Sequence, residues 1–383
     1  MAHANAAVRQ SSTISAICGV RRFIAPVRSV AAIALFLETA VFADTPWNAP
    51  VVTLPVTEGH DLRFDHLPLG FDPSHRRITG IVQDDLGFLW IGTDDGLKRY
   101  DGSRVRDYRH DPKDPKSLPD SYIISLFKDR SGKLWVASGR YLDVYDPATE
   151  KFTPLLAGPG NPDRFNARVG EVNQDRAGTI WLSTDQGLYE VDPGEGVRRV
   201  YRHDPKNGGS LSSNVVRSTV ETTDGSLWVA TTVGVDSIDR KSHKVIRHAA
   251  FDMAHSVWSK IIEDHAGVLW LAYGGVQGPC LATVDRTANV LRHYRLIPKG
   301  EKISAGAKTI YEDADGNLWI ATSQGGLFKL DRDRTHFVRY RSNPIDPKTI
   351  ASDELTALFE DREGGVWVGT LGDGVDRFTR RPA

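Results

Sequence analysis

Side chains able to hold a polar ligand stand on the predicted turns and connectors of this 383-residue chain, between short apolar segments. Guanidinium, carboxylate and amide groups hydrogen-bond to hydroxyls, and aromatic rings stack on the flat faces of sugars. Because loops on a rigid scaffold carry most binding groups, we predict a site for a small carbohydrate-like ligand there. The candidate residues are Arg140, Tyr141, Trp258, Tyr273, Gln277, Asp94, Gln186 and Gln324. For any one of them, a solvated polar loop is the alternative.

Two of these segments break a pattern that the rest of the chain repeats. SGRYLD (138–143) departs from the usual glycine turn and exposes Arg140 and Tyr141. AYGGVQGPCLATVD (272–285) is a longer turn, with Trp258 before it. Such departures mark either a ligand pocket, where function overrides local rules, or sequence drift.

The sequence predicts no metal, no cofactor and no catalytic residue. DADGN (313–317) resembles the start of a calcium loop, but the twelfth position holds Gln324 instead of the bidentate Glu, so turn capping is the preferred interpretation. His110 and His203 occupy matching Tyr-Arg-His-Asp-Pro connectors, which indicates a structural role. Glu171 and Lys260 could face a central axis.

Composition excludes several classes of protein. Lys and Arg number 48 against 49 Asp and Glu, so the net charge of −1 lacks the basic footprint of a nucleic-acid-binding protein. Thirty-five glycines and 20 prolines against two methionines favour many turns over long helices. Cys18 and Cys280 give no disulfide framework.

The N-terminus is predicted to direct export. Residues 1–29 carry four arginines and no acid, an apolar run follows, and small residues favour cleavage after Ala43. Glu38 within the apolar run is atypical, and a disordered tail or an uncleaved anchor is the alternative. We therefore assign 1–43 to an export segment, 44–61 to a linker and 62–383 to one folded domain in the periplasm.

A repeat of 42 to 49 residues dominates the chain. A glycine precedes each repeat tryptophan by three positions, a small residue follows it by two, and in six repeats an aspartate precedes it by six. The repeat tryptophans are Trp90, Trp135, Trp181, Trp228, Trp270, Trp319 and Trp367.

Each repeat divides into four short strands, which predicts an all-β, seven-bladed β-propeller. A solenoid of stacked sheets is the competing architecture. The last repeat has three strands, and an isolated strand, LRFDHL (62–67), precedes the first. We predict that this strand completes the last blade and closes the ring, because closure removes open sheet edges.

The repeats resemble those of the two-component regulator propeller family. The resemblance lies in IVQDDLGFLWIGTDDGLKRYDG (81–102), YEDADGNLWIATSQGGLFKLD (311–331) and FEDREGGVWVGTLGDGVDRF (359–378). It extends to connectors such as YRHDPKDPKSLPDSYI (108–123). The resemblance implies a periplasmic sensor region, frequently for carbohydrate fragments, of a receptor whose histidine kinase or diguanylate cyclase follows a membrane helix. It implies a homodimer or a receptor output domain as partner.

Within these residues we find no kinase, cyclase or hydrolase motif. We therefore expect a binding domain, either the sensor piece of a longer receptor or a stand-alone binder. Two alternatives stay open: a platform for protein interaction, and a metal-dependent seven-bladed lyase, a class that has a similar Gly-x-Leu-Trp rhythm.

Overall fold

The computed structural model describes residues 51–67, 77–114, 116–158, 161–250, 259–274, 281–286, 290–298, 300–301 and 306–379. The predicted export segment, 1–43, lies outside these residues. Within the described part, no helix is long and apolar enough to cross a bilayer.

The described chain is built from 32 strands. The N-terminal strands are β1 (Val51–Thr53), β2 (Val56–Glu58) and β3 (Asp65–Leu67). Blade one contains β4 (Ile78–Gln83), β5 (Leu89–Thr93), β6 (Gly96–Tyr100) and β7 (Val105–Tyr108). Blade two contains β8 (Ile123–Lys128), β9 (Leu134–Ser138), β10 (Tyr141–Asp146) and β11 (Lys151–Pro154), and a hairpin of β12 (Leu156–Gly158) and β13 (Asn161–Arg164) follows it. Blade three contains β14 (Val169–Gln174), β15 (Ile180–Thr184), β16 (Gly187–Asp192) and β17 (Gly196–Tyr201).

The second half continues the same order. Blade four contains β18 (Val216–Glu221), β19 (Leu227–Thr231), β20 (Gly234–Ile238) and β21 (Val245–Ala250). Blade five contains β22 (Ser259–Glu263), β23 (Leu269–Tyr273), β24 (Leu281–Asp285) and β25 (Val290–Arg295). Blade six contains β26 (Ala307–Glu312), β27 (Leu318–Thr322), β28 (Leu327–Leu330) and β29 (Phe337–Tyr340). Blade seven contains β30 (Leu355–Glu360), β31 (Gly365–Thr370) and β32 (Val375–Thr379).

The blades form a ring, which confirms the predicted seven-bladed propeller. The first strand of each blade contacts the first strand of the next, and β30 contacts β4. The fourth strand of blade seven is β3, which pairs antiparallel with β32 in the register Asp65 to Arg377 and Leu67 to Val375. The N-terminal strand therefore joins the two ends of the ring.

Part of the segment predicted as a linker, 44–61, is strand where the structure describes it. β1 pairs parallel with β25 at the outer edge of blade five, and β2 pairs parallel with β29 at the outer edge of blade six. Leu54, which lies between β1 and β2, packs against the core of blade six, and so does Val56 in β2. The sequence repeats do not predict β1 and β2, because these two strands lie outside the repeat.

The repeat tryptophans fill the spaces between neighbouring blades, and each is at most 6% exposed. Trp90 of blade one lies in a cluster with Ile123 and Val136 of blade two, and its ring lies 4.7 Å from that of Tyr145. Burial of one such ring stabilises the fold by about 4–6 kcal/mol as an upper bound.

Each repeat aspartate caps a turn, as predicted, and also holds the tryptophan. In blade one, Asp84 Oδ1 accepts the backbone N–H groups of Leu86 and Phe88, while Oδ2 accepts the Trp90 indole N–H at 2.8 Å. The same indole bond, 2.7–2.9 Å long, recurs in five other blades. Thr222 replaces the aspartate in blade four, where the buried Trp228 Nε1 has no acceptor among the described residues.

The candidate ligand-binding face

Each first strand begins where a connector ends, and the antiparallel second strand returns to that same end of the blade. The turns between second and third strands therefore share one face of the ring with the blade-to-blade connectors. We call it the connector face. The candidate ligand-binding residues that the structure describes belong to these turns or to strand ends beside them.

Threonine shapes most of these turns. Thr93 Oγ1 donates to the carbonyl of Gly96 at 2.8 Å and accepts the N–H of Asp95 at 3.0 Å. Blades three, four, six and seven have the same threonine-to-glycine bond. Blades two and five have Ser138 and Tyr273 at this position. The two turns that break the sequence pattern are therefore the two that lack the threonine.

Arg140 joins the turns of blades two and three. Its Nε donates to Asn166 Oδ1 at 3.0 Å, and its Nη1 lies 3.2 Å from Asp185 Oδ2. The other carboxylate oxygen, Oδ1 of Asp185, accepts the backbone N–H of Arg168 at 3.1 Å. The arginine side chain remains 50% exposed, so the network presents polar groups to solvent.

Gln186 belongs to the same network. Its side-chain Nε2 lies 3.4 Å from the backbone carbonyl oxygen of Asn166. Its backbone carbonyl accepts a hydrogen bond from Arg202 Nε at 3.1 Å. The guanidinium carbon of Arg168 lies 5.9 Å from the centre of the Tyr122 ring. The connector face between blades two and three thus combines guanidinium, carboxylate, amide and aromatic groups.

Two other candidates, Asp94 and Gln324, lie on the turns of blades one and six. Asp94 lies on the turn of blade one, and its buried Oδ1 has no hydrogen-bond partner within the described chain. Gln324 is exposed on the turn of blade six, and Tyr141 is half-buried at the start of β10. Trp258 and Gln277 lie outside the described residues.

Tyr273 requires a correction. It is 5% exposed, lies in the core cluster of blades four and five, and its hydroxyl is 2.7 Å from His293 Nδ1. The sequence placed it on a turn, but it is the last residue of β23 and faces the core. Its place in the structure does not support contact with a ligand.

The connector histidines have the structural role that the sequence predicts. His110 Nδ1 lies 2.8 Å from the carbonyl oxygen of Leu118, and His203 Nδ1 lies 2.7 Å from that of Leu211. These bonds close the connectors upon themselves.

The centre of the ring contains charged side chains. Lys260 of blade five forms an ion pair with Glu171 of blade three, whose other oxygen accepts the N–H of Thr219 at 3.0 Å. Since blade four lies between these blades, the pair crosses the ring near its axis. The predicted axial position of Glu171 and Lys260 agrees with this contact.

The sequence did not single out two further cationic residues, Arg217 and Lys308. Each is the extra residue of a β-bulge, in the register shifts of Val216 to Ser218 and of Ala307 to Thr309. Burial, and then the charge of Arg168, lowers the pKa of Arg217. Their position in the repeat was the signal that could have identified them, because each is the second residue in the first strand of its blade. Among the described residues, no group of three or more His, Cys, Asp or Glu side chains could hold a metal ion.

The ring of seven blades makes this protein a seven-bladed β-propeller with a polar connector face. Five segments match the sequence profile described as two component regulator propeller, at residues 72–95, 117–140, 210–232, 303–324 and 349–372. These five segments are therefore similar to the two component regulator propeller repeat, which confirms the resemblance seen in the sequence.

Among curated proteins, the chain is 29% identical over 266 residues to histidine kinase P4 of Formosa agariphila. The match covers 69% of this chain and 16% of the kinase, so the chain spans a small part of that relative.

Solved structures share the fold. The extracellular domain of a putative hybrid two component system of B. thetaiotaomicron matches with a TM-score of 0.69 at 21% identity, over 84% of this chain and 42% of that one. Virginiamycin B lyase of Staphylococcus aureus matches with a TM-score of 0.60 at 15% identity, over 84% of this chain and all of the lyase.

Proposed function

We propose that this chain is the ligand-sensing propeller of a signal-transduction receptor. The regulator propeller repeats support the proposal, as does the similarity to a histidine kinase. In this proposal the chain binds a ligand and is not itself an enzyme. A kinase or cyclase output domain, or a second copy of the chain, is its partner in transmitting the signal.

The ligand in this proposal is a small carbohydrate-like molecule on the connector face. The network of Arg140, Asn166 and Asp185 carries the argument, because it is solvent-accessible and combines donors with acceptors. Gln186 adds an amide, and Tyr122 adds a ring beside Arg168. Hydroxyl-rich ligands need this mixture of groups, since each hydroxyl both donates and accepts.

Thermal shift with a panel of oligosaccharides tests the proposal. A ligand that binds the folded state raises the melting temperature in proportion to the logarithm of its concentration. Arg140→Ala should weaken binding of the responding oligosaccharide about 10-fold, the effect of one charged hydrogen bond. Lys133→Ala, an exposed change on the opposite face, is the matched control. If no oligosaccharide shifts the wild-type protein, the carbohydrate assignment is wrong.

We also propose that the propeller acts outside the cytoplasm, in the periplasm. Residues 1–43 fused to alkaline phosphatase lacking its own leader should give active phosphatase, since that enzyme needs oxidising conditions to form its disulfides. Replacing the apolar run 29–37 with polar residues is the control. Equal phosphatase activity in the two fusions would contradict export.

A further inference from the structure

Basic side chains surround the axial opening on the connector face. Arg77 and Arg168 directly precede β4 and β14, and Arg217 and Lys308 are the bulged residues of β18 and β26. All four positions lie where the first strands leave the connectors. Glu354, which directly precedes β30, is the acid at the equivalent position of blade seven. We call these five residues the axial mouth.

Glu354 belongs to the mouth itself, and Glu171, the acid on the first strand of blade three, is already engaged. Glu171 occupies the next register position inward and pairs with Lys260 and with the backbone of blade four. The side chain of Glu171 is 13% exposed. It therefore does not neutralise the cations at the mouth itself.

The Arg217 side chain lacks a hydrogen-bond partner for one of its nitrogen atoms. Its Nε is buried without a hydrogen-bond partner, and no acid pairs with its guanidinium in the part of the chain that the structure describes. The side chain is half-buried, and burying part of a guanidinium without an anion is unfavourable. Burial and then Arg168 lower the pKa of Arg217, and burial and then Arg77 lower the pKa of Lys308 to about 8, against the opposing charge of Glu354.

We propose that the axial mouth binds the carboxylate or sulfate group of an anionic saccharide, held by the guanidinium groups of Arg217 and Arg168. The guanidinium fork matches both groups in geometry, and binding there would relieve the repulsion between the cations. This inference rests on the proposed function, because it adds a charge to the ligand of the connector face. Arg168 connects the two regions, since its backbone binds Asp185 of the Arg140 network.

The test compares three tetrasaccharides of one linkage by calorimetry: a uronate form, a sulfated form and a neutral form. Wild-type protein should bind one charged form about 10- to 100-fold more tightly than the neutral form. The charged form that binds identifies carboxylate or sulfate. Arg217→Met should reduce its affinity to that of the neutral form without lowering the melting temperature of the free protein, since it removes an unsatisfied cation.

Arg109→Met is the matched control, because Arg109 is a half-exposed connector arginine already paired with Asp95 at 2.8 Å. It should leave the preference for the charged form intact. If Arg217→Met fails to fold, Arg168→Met, at an exposed position, provides the same comparison.

The outcomes separate the two proposals. Equal wild-type affinity for neutral and charged forms would overturn the axial anion site and leave the carbohydrate sensor standing. Binding of inorganic sulfate alone, abolished by Arg217→Met, would retain the anion site and reject the carbohydrate. If neither sulfate nor any tetrasaccharide binds, both proposals fail.

Discussion

His66 and Asp376 tie the two ends of the ring together. His66 Nδ1 lies 2.6 Å from Asp376 Oδ1, and His66 Nε2 lies 2.8 Å from the carbonyl oxygen of Pro347. A protonated imidazole donates from both ring nitrogens to these two oxygens. Asp376 is fully buried, so this contact supports the pairing of β3 with β32 from inside the blade.

This ion pair predicts a decline in stability with rising pH. Burial alone would lower the pKa of His66, but the hydrogen bond and charge of Asp376 outweigh burial and the charge of Lys348, so the pKa is raised above 6.5. The folded state therefore holds the proton more tightly than the unfolded state. The stabilisation is complete below the unfolded pKa of about 6.5 and is lost as pH rises through the folded value.

Melting temperatures of wild type and His66→Gln between about pH 5.5 and about pH 8.5 check this prediction. The wild-type advantage should be largest at low pH and shrink as pH rises. Burial raises the pKa of the Asp376 carboxyl, against its hydrogen bonds with Ala351 and His66. If the difference in melting temperature between the two proteins does not change with pH, His66 stabilises the fold through packing and not through charge.

The aspartate–tryptophan bond predicts a second effect on stability. Asp129 Oδ2 accepts the Trp135 indole N–H at 2.9 Å, and Oδ1 accepts the N–H of Lys133 at 3.0 Å. Asp129→Thr copies blade four, where Thr222 keeps the turn but leaves the indole without an acceptor. The free energy of unfolding should fall by about 1–3 kcal/mol, the penalty for an unsatisfied buried donor.

Urea unfolding followed by tryptophan fluorescence measures this loss. Ser131→Ala is the control, because the exposed Ser131 hydroxyl donates only to the other carboxylate oxygen, at 2.6 Å. It should change stability by less than half as much. Equal midpoints for Asp129→Thr and wild type would show that the indole bond adds nothing.

The repeat made the fold predictable, because each blade needs the same few residues. Trp90 fills an inter-blade space, Asp84 caps the turn below it, and both recur at fixed spacing. The indole bond was not predicted, since it depends on how two residues six positions apart face each other. The parallel strands β1 and β2 were also not predicted, because they lie outside the repeat and pair with the outer strands of blades five and six.

The side-chain arrangement on the connector face was less predictable. Periodicity placed Arg140 and Gln186 on the connector face, and the structure brings both to Asn166. It could not distinguish Tyr273, which turns into the core, from an exposed turn residue. Nor could it find Arg217, whose exceptional position depends on a bulge and on ring closure.

Lys308 gives the proposed anion site a pH dependence. Burial first, and then Arg77, lowers its pKa to about 8, against the charge of Glu354. Lys308 therefore loses its charge above that pH, and the affinity for the charged tetrasaccharide should fall several-fold between about pH 7 and about pH 9.5. Lys308→Arg should keep its affinity across this range, because arginine stays protonated. The same decline in both proteins would exclude Lys308 as the titrating group.

Close packing beside the repeat tryptophans gives the last prediction. A Cβ on Gly369, two residues after Trp367, would lie 2.6 Å from Ile78 Cγ2 of blade one and 3.1 Å from Ala357 Cβ. Gly369→Val should therefore push blades seven and one apart and lower the free energy of unfolding by about 1–3 kcal/mol. Gly208→Val is the control, because Gly208 lies on an exposed connector where a Cβ meets nothing within 4 Å. Urea unfolding of both variants compares the two sites. If they lose the same stability, backbone conformation and not inter-blade packing explains the small residue after each tryptophan.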